Sequence, residues 1–319
     1  QKRGGRGKQA AATKDEDWID TLFVANTHDA ILCFSDRGRM YWLKVWEVPQ
    51  GSRTSRGKPI VNMFPLIEGE KITVILPIKG YQDDQYVFMA TSLGTVKKTR
   101  LSDFSNPRKA GIIAVDLNEG DFLVGAAITD GQHDVMLFSD AGKAVRFDEN
   151  ERGMNLGAGH QVIAMLVAPA EAEGVHAAVV DANGIAIPSS VLTATENGYG
   201  KRTPIAEYTR HGRGTKGMIA IQTSERNGKV VAAALVSPED QIMLITTGGV
   251  LVRTRVSEIR EMGRATQGVT LINVDEGTRL SGLQRIAESD SDDEGDEVEE
   301  GDSSADPATD SASDAAGDA

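Results

Sequence analysis

Cations recur in this chain inside short segments that have little to bury. "QKRGGRGK" (1–8), "SRTSRGKP" (52–59), "SNPRKAG" (105–111), "ENERG" (149–153), "TRHGRGTKG" (209–217) and "REMGRATQG" (260–268) place Arg or Lys among small and polar residues. This is phosphate chemistry. Guanidinium forks pair with phosphate oxygens bidentately, and a backbone free of bulky side chains comes close enough to add its N–H groups. The residues able to make such contacts are Gln1, Lys2, Arg3, Gly4, Gly5, Arg6, Gly7 and Lys8 in the first segment and Arg53, Arg56 and Lys58 in the second. Further along they are Arg108, Lys109, Arg210, Arg213, Lys216, Arg260 and Arg264, with Lys97, Lys98, Lys201, Arg202, Arg253 and Arg255 widening the set. Basic loops are common on any protein surface, so it is the recurrence that needs an account.

A repeat supplies that account. One half-unit reads as a strand, a Gly-containing turn and a second strand: "ILCFSDRGRMYWLKV", "VFMATSLGTVKKTRL", "VMLFSDAGKAVRFDE", "VLTATENGYGKRTPI" and "IMLITTGGVLVRTRV". Its turn glycines are Gly38, Gly94, Gly142, Gly198 and Gly249, separated by 56, 48, 56 and 51 residues. Apolar, β-branched and aromatic residues around turns rich in Ser, Asp, Asn and Gly are the hairpin signature. A second half-unit follows each hairpin, again strand, polar turn and strand, as in "GIIAVDLNEGDFLVG" and "GVTLINVDEGTRLSG". Four strands in about 50 residues suit a propeller-like blade. No stretch of the body reads as an amphipathic helix, so the expected fold is all-β.

The cationic segments are the linkers between the two halves of each unit. Equivalent positions of a cyclic or spiral repeat share one rim, which predicts a belt of positive charge. Near the N-terminus Asp17-Trp18-Ile19 matches Asp121-Phe122-Leu123, giving a sixth second half without its hairpin. Six blades are therefore expected, with the first incomplete and the chain a piece of something longer. The third unit is irregular: its linker is short and "AEAEGVHAAVVDANGIAIPSS" (170–190) is inserted before the fourth hairpin, itself hairpin-like about Gly184.

The formal charge of -13 misleads until it is split. Residues 288–319 hold 14 Asp or Glu and no Lys or Arg, so the remainder carries +1. The tail has too little apolar surface to offset its ordering entropy and is expected to be disordered. Tethered beside a cationic rim it either competes with a polyanion or merely solubilises. The domains are accordingly 1–287 and 288–319. The single cysteine, Cys33, rules out an internal disulfide and fits a reducing cytoplasm. The aliphatic runs are too short to span a bilayer as helices.

Other signals are weaker. "GRGTKG" (Gly212, Gly214, Gly217) matches a dinucleotide fingerprint, but "MIAIQT" after it reads as a strand where a helix is required. The histidines His28, His133, His160, His176 and His211 are scattered without metal-ligand spacing, and no catalytic triad or carboxylate pair is apparent. Trp18, Trp42 and Trp46 read as blade-packing residues.

"QKRGGRG" resembles the seven-residue basic box of the DNA gyrase A C-terminal domain, in the type IIA topoisomerase family. "LFVANTHDAILCFSDRGRMYWLKV", "FMATSLGTVKKT", "LTATENGYGKRT", "VRTRVSEI" and "TQGV" are also similar to that family, over nearly all of 1–287. The resemblance implies a six-bladed β-pinwheel whose rim wraps double-stranded DNA, letting the parent enzyme introduce negative supercoils. It implies that the box, Gln1 to Gly7, is needed for that step. It places the DNA-cleaving tyrosine, ATP and Mg elsewhere in the holoenzyme, leaving this chain non-catalytic and without a cofactor. Its implied partners are the N-terminal domain of gyrase A, in the same polypeptide, and the gyrase B protein, in the bacterial cytoplasm at the nucleoid. No membrane is involved, and the isolated domain is expected to be monomeric. The absent first hairpin and the short third linker depart from the family pattern. Two other readings stand beside this one: the C-terminal domain of a topoisomerase IV-type enzyme, which lacks the full box, and a propeller scaffold for protein partners.

Overall fold

A computed structural model describes residues 25–51, 57–150, 154–169, 190–211 and 215–286. The basic box and Lys8, the Asp17-Trp18-Ile19 match, Arg53, Arg56, residues 151–153, Arg213, Gly184 with nearly all of the insertion, and the acidic tail lie outside the described residues. The chain divides into units Gln1–Ala287 and Glu288–Ala319, and every described strand belongs to the first.

All five hairpins form. Repeat one supplies β1 (Ala30–Ser35), β2 (Arg39–Lys44) and β3 (Ile72–Ile78); repeat two supplies β4 (Tyr86–Thr91), β5 (Val96–Arg100), β6 (Ile112–Ile113) and β7 (Leu123–Thr129). Repeat three supplies β8 (His133–Ser139), β9 (Lys143–Asp148) and β10 (Val162–Pro169); repeat four supplies β11 (Ser190–Thr195), β12 (Tyr199–Pro204), β13 (Met218–Ile219) and β14 (Val230–Val236). Repeat five supplies β15 (Gln241–Thr246), β16 (Leu251–Arg255), β17 (Val269–Thr270) and β18 (Leu280–Ile286). Among the described residues the helical turns are five short 3-10 turns, and no helix is long and apolar enough to cross a membrane.

The strands make five antiparallel sheets, ordered β3-β1-β2-β6, β5-β4-β7, β10-β8-β9-β13, β14-β11-β12-β17 and β16-β15-β18. Two expectations are corrected here. Five blades are present among the described residues, not six, because each sheet grows around a hairpin and the sequence holds five of the quoted hairpins. A repeat is also not a blade: the short first strand of a second half leaves its own hairpin and joins the sheet before it. β6, β13 and β17 of repeats two, four and five pair with β2, β9 and β12 of repeats one, three and four.

The turn glycines make that crossing possible. Gly38 has φ 74°, and the carbonyl of Val115, beside the incoming strand, lies 2.3 Å from where a Cβ would stand. Gly142 and Gly198 meet Ile221 and Ile272 in the same way, at 2.2 Å each. A side chain at these turns would block the neighbouring repeat as well as strain the backbone. The second sheet departs from the pattern. Repeat three brings Met154 close to Gly94, but its linker is too short to lay a strand on β5, and three strands remain.

The core lies between sheets. Leu32 and Phe34 of β1 pack with Val87 and Met89 of β4; Phe88 and Ala90 of β4 turn to Val135 and Leu137 of β8. Met136 and Phe138 then face Val191, and Leu192 and Ala194 face Ile242 and Leu244. The central hairpin strands are buried on both faces, which is why "ILCF", "VFMA" and "VMLF" read as unbroken apolar runs. Strands β3, β7, β10, β14 and β18 pack against one another in that order along the inner side. The opposite sheet edge, carrying the second hairpin strands, therefore forms the perimeter.

Candidate nucleic-acid interface

The linkers of repeats two, four and five lie on the perimeter of the preceding sheet, where donors from the outer hairpin strand hold them. On the first sheet Trp42 Nε1 donates to the Phe104 carbonyl at 2.7 Å and Arg39 donates to that of Ala110 at 2.6 Å, fixing the repeat-two linker. On the third, the His211 amide donates to the Arg146 carbonyl at 2.8 Å and the Arg146 guanidinium to that of Tyr208 at 3.2 Å. On the fourth, Arg202 Nε donates to the Ile259 carbonyl at 2.8 Å, and the Met262 amide returns a bond to the Arg202 carbonyl at 2.9 Å. The fourth residue after the turn glycine thus clasps the tenth residue of the next hairpin in three places. Phe104, Tyr208 and Ile259 are all buried there.

This geometry sorts the sequence-predicted cations. Lys58, Arg108, Lys109, Lys216 and Arg260 are exposed, without an acidic partner among the described residues. Arg108 and Lys109 sit on the edge of the first sheet, Lys216 on the third and Arg260 on the fourth. Arg264 is half-buried, its guanidinium donating to the Ile219 carbonyl at 3.3 Å. Arg210 is exposed but committed: its guanidinium is 2.5 Å from the buried Asp134 carboxylate and 3.9 Å from Asp148. Gln1 to Lys8, Arg53, Arg56 and Arg213 are outside the described residues.

The hairpin cations expected to widen the belt mostly hold the repeats together. Lys97 donates to the Ala114 carbonyl at 2.8 Å, and Lys201 is fully buried. Lys98 lies 3.1 Å from the buried Glu149 carboxylate and 4.1 Å from the Tyr86 ring centroid. Arg253 donates to Gln241 across its own sheet. Arg255 alone of this group is both exposed and without a partner among the described residues.

Three features escaped the sequence reading. Trp46 is 65% exposed, so it does not pack a blade, whereas Trp42 is half-buried as expected. Asp130, His133 and Glu149 come together although the histidines look scattered in sequence; Glu149 accepts from Thr129, from the His133 amide at 2.8 Å and from Lys98. The third is Asp134, which holds Arg146 Nε at 2.7 Å and Arg210 on its other oxygen. Asp134 lies eight residues before its turn glycine, where the other hairpins have Ala30, Tyr86, Ser190 and Gln241. Alignment of the hairpins would have singled it out as the one acid in that register. Of "GRGTKG", residues 215–217 are described, and there Gly217 has φ 73° and leads into β13, a strand where the dinucleotide fingerprint needs a helix.

The sequence profile of the family described as "DNA gyrase C-terminal domain, beta-propeller" matches residues 1–26, 29–79, 85–130, 133–151, 189–237 and 240–287. Curated relatives, each the A subunit of DNA gyrase, include those of Neisseria gonorrhoeae, 48% identical over 91% of this chain, and Escherichia coli, 50% identical over 90%. The chain spans about a third of their length, 36% and 32% respectively. A solved DNA gyrase A C-terminal domain superposes with TM-score 0.66 at 25% identity, covering 82% of this chain and 84% of that one. The C-terminal domain of a DNA topoisomerase IV shares the fold, with TM-score 0.73 at 24% identity and 87% and 85% coverage. The profile match over most of the chain, together with relatives at about half identity, shows that this chain belongs to the DNA gyrase C-terminal domain family.

Proposed function

We propose that this chain binds double-stranded DNA along the outer edges of its sheets, with little sequence preference, and holds it in a curve. The observation that carries this is the placement of Arg108, Lys109, Lys216 and Arg260, exposed and without acidic partners among the described residues, on the perimeter edges of three sheets. Loops without a base-reading helix favour backbone contacts, which give affinity and register but no sequence readout. Curving about 40 bp through roughly 180° costs on the order of 10 kcal/mol for a smooth elastic rod. Contact with about 10 phosphates gives a log K versus log salt slope near -9, so a belt over several sheets can offset that cost while a single loop cannot.

In the parent gyrase such a curve would give strand passage its direction and so introduce negative supercoils. The basic box, Gln1 to Gly7 with Lys8 beside it, would complete the curve at one end of the belt. The N-terminal part of the same polypeptide and the gyrase B protein would supply cleavage and ATP hydrolysis. The test is topological: nicked circular DNA is religated with the protein bound, and the protein is then removed. A linking-number shift that grows with bound protein is the expected result. Binding without any shift would leave a non-wrapping DNA ligand, and no binding would favour a scaffold for protein partners.

A further inference from the structure

Lys201 stands on β12, three residues after the turn Gly198, with none of its surface exposed. A buried ammonium must be met by acceptors, since leaving it unpaired in a dry site is costly. Here the acceptors belong to the next repeat. Lys201 Nζ donates to the Gly263 carbonyl at 2.5 Å and the Arg264 carbonyl at 2.6 Å. Thr203 Oγ1, on the same strand, donates to the Met262 carbonyl at 2.8 Å, and Thr266 Oγ1 closes the turn onto Gly263 at 2.9 Å.

Drawing carbonyls inward has a consequence on the other side. A trans peptide unit points its C=O and N–H in opposite directions, so the inward Arg264 carbonyl turns the Ala265 amide outward. The Arg264 amide is taken by Glu207 Oε2 at 3.0 Å. A shallow recess of about 510 Å³ lies there, lined by Glu207, Ile219 and residues 263–266. Arg260, at the start of the same linker, is exposed, and its carbonyl accepts from the Arg202 amide at 3.3 Å. The other hairpins carry Tyr41, Lys97, Val145 and Val252 at the Lys201 position. Tyr41 bears on its linker by shape, since a Cβ on Gly111 would come within 2.7 Å of its ring.

We propose that Lys201 is a positioning residue for the perimeter: its buried ammonium folds the 263–266 turn so that the Ala265 amide and the Arg260 guanidinium face a phosphate backbone. This rests on reading the perimeter as the DNA interface. Burial pulls the Lys201 ammonium down to about 8, the Glu207 carboxylate opposing and the Arg264 guanidinium adding to the fall. Those two are the charged groups bearing on it among the described residues. The charge that gathers the carbonyls is therefore present at neutral pH and fades as pH rises through about 8.

The test compares Lys201→Met, Arg260→Ala/Arg264→Ala and their combination in the full chain. Amide exchange is read over residues 263–266 without DNA, and the salt dependence of duplex affinity is read with it. Lys201→Met should speed exchange at the Arg264 amide, the one that Glu207 Oε2 holds in this turn, about tenfold, the 1.4 kcal/mol scale of one lost charged hydrogen bond. It should lower the magnitude of the salt slope by roughly 1 to 2 and, added to the double arginine variant, cost less affinity than it does alone, since only the Ala265 amide contact is left to lose. Unchanged exchange, or losses that simply add, would overturn the positioning role. Faster exchange with no DNA effect from any variant would overturn the interface reading, and with it the purpose assigned to Lys201. Should the methionine variant fail to fold, the unmodified chain provides the second measurement. Its exchange at 263–266, corrected for intrinsic rates and referred to β12, should rise through pH 8; a flat profile would overturn the proposal.

Discussion

Two linkers occupy the same place on successive sheets and use their cations in opposite ways. The repeat-four linker lies on β9, where Asp134, fully buried, draws Arg210 inward beside the buried Arg146. The repeat-five linker lies on β12, where the equivalent of Asp134 is Ser190 and Arg260 remains exposed without an acidic partner among the described residues. In one the inward charge is an acid held by two arginines; in the other it is a lysine held by two carbonyls. The difference teaches that a cation's place in a repeat does not fix its role. What lies beneath the linker decides whether a guanidinium is a clasp or a contact.

The largest way to break this comparison is to remove the acid. Asp134→Ala leaves the Arg146 guanidinium buried without its carboxylate, and losing one partner of a buried pair costs about 3–5 kcal/mol. Denaturant unfolding should show that loss, while Ser190→Ala should cost far less because among the described residues the Ser190 hydroxyl meets only Glu261, at 3.5 Å. Equal effects would mean that the two linkers are held alike.

Binding sharpens the same contrast. Arg260→Ala should lower the magnitude of the log K versus log salt slope for duplex DNA by roughly 0.9, the value of one phosphate contact. Arg210→Ala should weaken the fold and leave the slope unchanged, since its charge is already spent on Asp134 and Asp148. A slope that moved equally for both would return Arg210 to the interface.

These two residues also show how far the sequence could be read. The hairpins, their turn glycines and the linker positions were legible because strand burial and glycine turns are local properties that repeat. Which sheet each short strand would join was not legible, because "GIIAV" looks the same whether it pairs with its own hairpin or the one before. The roles of Arg108 and Arg210 look alike in sequence for a related reason: pairing with Asp134 joins residues 76 apart in the chain. The sixth blade was expected from residues 7–26, whose sequence reads as a second half without its hairpin and lies almost wholly outside the described residues. Family likeness located the basic box but says nothing of Lys201, whose role depends on the carbonyls above it.

Acid should separate the turns of the two sheets by a smaller amount. At the third hairpin turn, burial pushes the Asp140 carboxyl up, but the Gln161 amide at 3.2 Å, Lys229 at 3.3 Å and His160 at 3.1 Å outweigh it, leaving it below 3.8. A depressed carboxyl contributes stability that is complete above its unfolded value and lost as pH falls through its folded one. Asp140→Asn should therefore flatten the stability profile below about pH 4, following the acid's reference value of 3.8. Lys229 is 65% exposed, which keeps the effect modest, under about 1 kcal/mol for a pair of this kind. Unfolding measured from pH 2 to 5 checks it, and an unchanged profile would show that the turn is held by its backbone bonds alone.

The smallest effect is expected at Trp46, and it tests the register on which each of these contrasts depends. Trp46 is the eighth residue after its turn glycine, where the other hairpins have Ser102, Asn150, Ala206 and Ser257, all half-exposed or exposed. The tenth residue is different: Phe104, Tyr208 and Ile259 are covered by a preceding sheet, whereas Val48 is 39% exposed. Repeat one has no preceding sheet among the described residues, which accounts for Val48 but not for Trp46, because the eighth position stays open even where such a sheet exists. Trp46→Ser should consequently change stability by no more than about 0.5 kcal/mol, the usual range for a surface substitution. Trp42→Ser would remove both a core contact and the bond to Phe104. A loss at Trp46 as large as that at Trp42 would mean that the indole is covered in solution and that the eighth position is not the solvent-facing one.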